Sequence, residues 1–165
     1  MRLWILATLL AASLSAQTWA KGEIGFRLTI IPAGCPAERA GLRIGDILAE
    51  PAGVRTVLNG SGILPVYRFD SAKAAYAKQD VRISFEGGEE RRLGVTGDLG
   101  FLINALSPET PSGLLIHDFL PKIDDRFVHE IPDLTLPKDR AAAIHVTRWD
   151  KQKRDFVKAI VTFKP

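Results

Sequence analysis

The residue types that could support catalysis or metal binding are few in this chain and lie far apart. Ser61 lies between two glycines, but no histidine and aspartate pattern accompanies it, and such a sequence is typical of a loop. His129-Glu130 lacks the second histidine of a zinc-binding H-E-x-x-H helix and is followed by Pro132. His117-Asp118 is an isolated pair of the kind that caps a strand end. We therefore predict no catalytic residues, no metal site and no cofactor.

The cysteine content and the charge narrow the possible partners. Cys35 is the single cysteine, so no internal disulfide can form. Its thiol either makes an intermolecular contact or is shielded in a turn. The formal charge of +3 in 165 residues is too small to argue for nucleic acid. With 46% hydrophobic and 25% charged residues, the composition is that of a folded protein.

The N-terminal segment has the organisation of a secretory signal peptide. Arg2 precedes an apolar run from Leu3 to Ala16, and small residues flank a predicted cleavage site after Ala20. The apolar run is short for a hydrocarbon core of about 30 Å. We expect residues 1–20 to be removed, leaving a periplasmic or secreted protein without an integral membrane segment.

The first half of the chain alternates strand and helix signals. A strand over 24–31 is followed by a short helix that Pro36 begins and Gly41 ends, and then by a strand over 47–50. Alanine and lysine between 71 and 79 predict a second helix. Alternating residues predict strands over 81–85 and 92–96.

The second half is richer in proline and in β-forming residues. Strands are predicted over 99–106 and 113–120, and the region from 121 to 137 gives no clear pattern. Residues 143–149 and 156–163 flank a charged link and predict a hairpin. The basic tip of that hairpin either contacts an anionic surface or is a solvated edge that discourages aggregation.

The stretch PAGCPAERAGLRIGDIL, from Pro32 to Leu48, resembles the most recognisable segment of PDZ domains, particularly those of exported bacterial proteases. The resemblance covers roughly residues 22–97. It implies binding of a partner's C-terminus, which adds as a strand beside the second helix while a glycine-containing loop holds its carboxylate. The motif identifies a scaffold and does not by itself assign a function.

The resemblance implies two candidate carboxylate loops and one side-chain pocket. The loop pattern, apolar-Gly-apolar, occurs at Ile24-Gly25-Phe26 and again at Leu99-Gly100-Phe101. Ala72 and Tyr76, on the predicted second helix, would line the pocket for the last side chain of the partner.

We therefore predict a mostly β (α+β) fold in three regions. Residues 1–20 are the signal peptide. Residues 21–97 form a PDZ-like, partly open β-barrel or sandwich with two helices. Residues 98–165 form a β-rich region that packs on this domain or repeats it in degenerate form. The predicted function is non-catalytic binding of a peptide or protein C-terminus. The alternative is a structural component of an envelope complex whose peptide groove is occupied or lost.

Overall fold

A computed structural model describes residues 19–49, 62–85 and 92–165. In this part of the chain the protein is mostly β, as predicted. One short α-helix, α1 (Pro36–Arg39), and a 3-10 helix (Ile131–Leu134) interrupt the strands. The nine strands are β1 (Ala20–Ile30), β2 (Ile47–Ala49), β3 (Gly62–Asp70), β4 (Ala75–Ile83), β5 (Thr96–Leu106), β6 (Phe119–Ile123), β7 (Arg126–Phe127), β8 (Ala142–Asp150) and β9 (Asp155–Phe163).

All nine strands belong to one sheet, which curls into a half-barrel. The order is β4-β3-β2-β1-β5-β6-β8-β9, with β7 paired to β6, and every pairing is antiparallel. β1 and β5 are the two central strands and pair along most of their length. The boundary predicted at residue 97 falls at the start of β5, so the two predicted regions share a continuous sheet.

The two halves of the sheet repeat each other. From the centre outward, β1-β2-β3-β4 on one side correspond to β5-β6-β8-β9 on the other, and Gly25 of β1 lies opposite Gly100 of β5. The repetition is visible in short motifs. Gly-Leu-x-Ile-x-Asp begins at Gly41 and again at Gly113, and Arg-aromatic-Asp begins at Arg68 and again at Arg148. No described feature identifies either half as a PDZ domain.

A buried aspartate and an arginine connect these motifs in the same way in each half. Asp46 is 2% exposed and accepts hydrogen bonds from Nε and Nη2 of Arg68 at 2.9 and 2.5 Å. Asp118 is 1% exposed and accepts the same two bonds from Arg148 at 3.0 and 2.5 Å. Each pair fixes the loop before β2 or β6 to the outer hairpin of its half, because bidentate charge-assisted bonds define orientation as well as distance.

The predicted short helix is confirmed as α1. Pro36 occupies its first turn, where a missing N–H costs nothing, and Glu38 accepts a hydrogen bond from the backbone N–H of Gly34 at 2.6 Å. Gly41 follows the helix with a φ of 78°, the left-handed conformation that glycine adopts readily. The chain then turns back to enter β2 at Ile47.

The predicted helix over 71–79 is wrong, because this segment forms a four-residue turn and the first part of β4. Asp70 accepts hydrogen bonds from the backbone N–H groups of Ala72 and Lys73, and Ala74 has a φ of 50°, which closes the turn. Nine cross-strand pairs with β3 then outweigh the weak helix preference of alanine and lysine.

The remaining strand predictions differ in outcome. The C-terminal hairpin is confirmed as β8 and β9, and the strand predicted over 24–31 corresponds to β1. Residues 92–95 are not a strand, because pairing with β1 begins only at Thr96. Residues 113–118 form turns, and the strand of that region is β6. The pairs Asn59-Gly60 and Gly87-Gly88, which favour tight turns, lie outside the described residues.

The core extends to the first described residue. Two large apolar clusters lie on one face of the sheet, and a smaller cluster of Ile47, Leu102 and Phe119 lies on the other. Trp19 is 7% exposed in one of the large clusters, and its Nε1 donates a hydrogen bond to the carbonyl of Leu134 at 2.7 Å. The predicted cleavage after Ala20 would remove this side chain from the core.

Candidate functional site

The two predicted carboxylate loops lie opposite each other in the centre of the sheet. Ile24, Gly25 and Phe26 of β1 pair with Phe101, Gly100 and Leu99 of β5, respectively. Gly25 also lies opposite Ala49 of β2, so it has a strand on both sides. Their backbone groups belong to strand ladders, so neither glycine is in the carboxylate loop that the resemblance implies.

Close packing explains why these two positions are glycine. A Cβ on Gly25 would lie 2.4 Å from Cγ2 of Ile47, and one on Gly100 would lie 2.6 Å from the carbonyl oxygen of Leu120. Both distances are shorter than any real Cβ contact. Substitution at either glycine is therefore expected to disturb the sheet itself, whereas substitution of a loop glycine would leave the fold intact.

Ala72 and Tyr76 do not flank a binding strand, because the helix that would carry them is absent. Ala72 lies in the turn between β3 and β4. Tyr76 lies in β4, in an aromatic cluster that joins the tips of the two outer hairpins. The cluster consists of Phe69 and Tyr76 from one hairpin and Trp149 and Phe156 from the other, with ring centroids 4.9 to 6.2 Å apart.

Arg27 lies against this aromatic cluster and is 9% exposed. Its guanidinium carbon is 4.8 Å from the ring centroid of Phe156, a cation–π contact. Burial raises the pKa of Tyr76 to about 12, although the nearby Arg27 acts in the opposite direction. The Tyr76 hydroxyl is therefore a neutral, structural group at physiological pH rather than a proton acceptor.

The histidines and the cysteine are the remaining candidates for a metal or catalytic site. Nowhere in residues 19–49, 62–85 and 92–165 do three histidine, cysteine or acidic side chains gather as a metal site would require. His117 has a φ of 74° in the loop before β6, and burial lowers its pKa. Cys35 is a partly exposed free thiol that precedes α1. Ser61 lies outside the described residues. The described helices include none long and apolar enough to cross a membrane.

A groove on the second half of the sheet is a candidate binding site. It has a volume of about 630 Å³ and combines apolar with mainly basic side chains. Its lining comprises Asp98, Pro121, Lys122, Phe127, His145, Val146, Thr147, Lys158, Ala159 and Ile160. Phe127 and Ile160 are each 62% exposed, which is high for residues of their size.

The internal repeat explains why the groove occurs on one half only. In the first half, Tyr67 of β3 lies opposite Lys78, and its hydroxyl donates a hydrogen bond to Glu23 at 2.7 Å. In the second half, Thr147 occupies the corresponding position of β8, opposite Lys158. Threonine is much smaller than tyrosine, so the space that Tyr67 fills in one half is open in the other.

The two outer strands of the sheet also differ in how well charged side chains protect their edges. β4 presents Asp80 and Arg82 as exposed residues, a charge pattern that discourages pairing with another chain. At the corresponding positions β9 presents Ile160 and Thr162. β9 is therefore the less protected edge, and it borders the groove.

No family model matches the chain, and no curated protein matches its sequence. The PDZ resemblance therefore stays a prediction. The site predicted from the sequence did not include the groove residues Lys122, Phe127, Thr147, Lys158 and Ile160. One sequence signal could have revealed the groove. Side chains alternate between the two faces of a strand, so Lys158 and Ile160 lie on the same face of the last strand.

Proposed function

We propose that this protein binds an extended polypeptide segment, which adds as a tenth strand at the outer edge of β9. The observation that carries the proposal is the combination of the less protected sheet edge, β9, with a groove beside it. An added strand makes main-chain hydrogen bonds to the edge, while alternate side chains enter neighbouring pockets and provide selectivity.

The groove favours a segment with an apolar side chain and a negative charge. Phe127 and Ile160 offer apolar contact, and Lys122, Lys158 and His145 provide a basic lining. In the described part of the chain, Asp98 is the one carboxylate that lines the groove. Lys122 is the least available of these basic groups for a ligand, because its Nζ lies 3.2 Å from a carboxylate oxygen of Asp125. A free C-terminus provides the required negative charge. The partner class is therefore the one predicted from the sequence, but the proposed binding site is β9 and not the centre of the sheet.

The experiment is a titration of the protein with labelled peptides that end in a free carboxylate or in an amide. Ile160→Asp places an aspartate on β9 at the position that corresponds to Asp80 of β4. We expect about tenfold weaker binding, because a buried isoleucine side chain contributes roughly 1.5 kcal/mol or more. Arg82→Asp places the same carboxylate on β4 and is the matched control, with unchanged affinity expected.

A second variant separates the groove from the edge. Thr147→Tyr is designed to fill the groove as Tyr67 does in the first half, and it should weaken binding while the edge of β9 stays available. Equal weakening by Ile160→Asp and Arg82→Asp would refute the assignment to β9. A preference for free over amidated peptides that survives in both Ile160→Asp and Thr147→Tyr would mean that the carboxylate binds elsewhere.

A second candidate function is a structural component of an envelope complex. The observation that favours it is the pairing of β5 with β1, because this pairing occupies the edge that a partner would otherwise use in the first half. Under this alternative, the correctly folded protein binds none of the peptides. Such a result would replace the first proposal by the second.

A further inference from the structure

The turns of the two outer hairpins lie side by side and enclose a polar groove of about 720 Å³. Residues of both turns line it, namely Ser71, Ala72, Lys73, Ala74, Trp149, Lys151 and Arg154. The aromatic cluster beneath the groove holds the turns together, with the Phe69 and Trp149 ring centroids 4.9 Å apart. This groove is distinct from the peptide groove on β8 and β9.

Among the described residues, three cations and no carboxylate line the groove between the turns. The nearby aspartates are engaged in forming the turns. Asp70 accepts hydrogen bonds from two backbone N–H groups of its own turn, and its other oxygen lies 3.6 Å from Nζ of Lys73. Asp150 accepts the corresponding bonds from Gln152 and Lys153, and the bond from Lys153 holds the pKa of its carboxyl below the ordinary value. Asp155 accepts a bond from the N–H of Phe156.

Exposed aliphatic residues lie on the two loops next to these turns. Ile44 is 66% exposed, and Leu115 and Ile116 are 51% and 49% exposed. Both loops lie close to Tyr76 at the hairpin tips. The Tyr76 hydroxyl lies 3.5 Å from the carbonyl oxygen of Gly45, and the Tyr76 ring centroid lies 6.1 Å from the ring centroid of His117. The groove residues together with Ile44, Leu115 and Ile116 are called the tip surface below.

We propose that the tip surface docks the protein on a bilayer that contains anionic phospholipids. Lysine and arginine side chains near a negatively charged leaflet each strengthen binding about fivefold. Tryptophan and exposed aliphatic residues favour the boundary between headgroups and acyl chains. A site for a small free anion would need the cations but would not need three exposed aliphatic side chains beside them, so the bilayer is the favoured partner.

The proposal is tested by sedimentation with vesicles of phosphatidylcholine alone or with one quarter phosphatidylglycerol. Residues 17–165 are used, since they retain every contact described above and lack the apolar run at 3–16, and their unfolding transition is compared with that of the full chain. We expect binding to the anionic vesicles only. The triple variant Lys73→Gln, Lys151→Gln, Arg154→Gln should bind about a hundredfold more weakly, at roughly fivefold per cation.

Two controls make the test specific. Lys21→Gln, Lys138→Gln, Lys164→Gln removes the same charge from exposed positions elsewhere and should leave vesicle binding within a few-fold of the parent protein. Ile44→Ser with Leu115→Ser keeps every cation and should still weaken binding. Equal losses in the two triple variants would mean non-specific charge attraction and overturn the proposal. If the serine variant binds anionic vesicles as well as the parent protein does, and millimolar inorganic phosphate competes with the vesicles, the groove is a small-anion site and the proposal is overturned.

Discussion

Trp19 provides the sharpest test of how this chain is processed and stabilised. Its indole ring is 7% exposed, and its Nε1 donates a 2.7 Å hydrogen bond to the carbonyl of Leu134. Its own carbonyl accepts hydrogen bonds from the side chains of Ser107, at 2.8 Å, and Thr110. Trp19 therefore connects the start of β1 to two segments that are distant in sequence.

Removing Trp19 is expected to cost about 3–5 kcal/mol of unfolding free energy, the range for truncating a large buried aromatic side chain. For a domain of this size, the loss corresponds to a decrease in Tm of roughly 6–20 °C. The perturbation is truncation to Lys21–Pro165, which begins where cleavage after Ala20 would leave the chain. The reference is residues 17–165, and Trp19→Phe in the reference chain retains most of the apolar contact without the indole hydrogen bond.

The assay is urea unfolding of the three proteins, followed by circular dichroism. We expect the truncated chain to be the least stable and Trp19→Phe to lie between it and the reference. The same reasoning predicts that cleavage of the signal peptide expected from the sequence would leave an N-terminus at or before Trp19, as mass spectrometry of the mature protein would show. Equal stability of the truncated and reference chains, or a natural N-terminus at Lys21, would refute the reasoning.

Three further predictions concern one buried and two half-buried polar side chains. Asp46→Ala should destabilise the fold by about 3–5 kcal/mol in urea unfolding, because it leaves Arg68 without its buried partner, and Arg68→Met in the same background should recover part of the loss. Absorbance titration of the two tyrosines should show one that ionises near pH 12, and Tyr76→Phe should remove it. Because the Tyr76 pKa is higher in the folded state, its contribution to stability is present below pH 10 and is lost as the pH rises towards 12. Burial lowers the pKa of His117, so its contribution to folding stability is present above about pH 6.5 and is lost as the pH falls. His117→Asn should reduce the loss of stability at low pH, and an unchanged pH profile of stability would contradict this assignment.

Local signals in the sequence were sufficient for the elements that local interactions define. Pro36 and Gly41 predicted both ends of α1, because proline fixes φ and lacks an N–H while glycine adopts a positive φ. The C-terminal hairpin followed from strand-forming residues on either side of a charged turn. These features depend on residues close together in sequence, so one sequence contains the needed information.

The segment over 71–79 shows where local preference fails. Its alanines and lysines favour a helix by tenths of a kcal/mol per residue. The structure instead pairs Ala75–Ile83 with β3, and Val81 and Ile83 become buried in the sheet. Strand pairing depends on a partner, and the preference of a single segment does not reveal that partner.

The internal repeat was present in the sequence but is easily missed. Gly41 and Gly113 begin the same Gly-Leu-x-Ile-x-Asp pattern, although the residue before the aspartate is Gly45 in one copy and His117 in the other. The second copy has Ser-Gly-Leu and His-Asp where the first has Ala-Gly-Leu and Gly-Asp, so residue identity alone does not reveal it. Both residues adopt a positive φ, 91° and 74°, so the two copies share a backbone conformation more closely than they share residue types.

By itself, the sequence determined the mostly β class, the short helix and the last hairpin, because turn and cap residues act on their immediate neighbours. Only the tertiary structure decided the roles of Gly25 and Gly100, which are packing glycines at the centre of a continuous sheet. It also decided that Thr147 opens a groove where Tyr67 closes one. A glycine or threonine has the same local preferences in either role, and the role depends on which distant side chain lies against it.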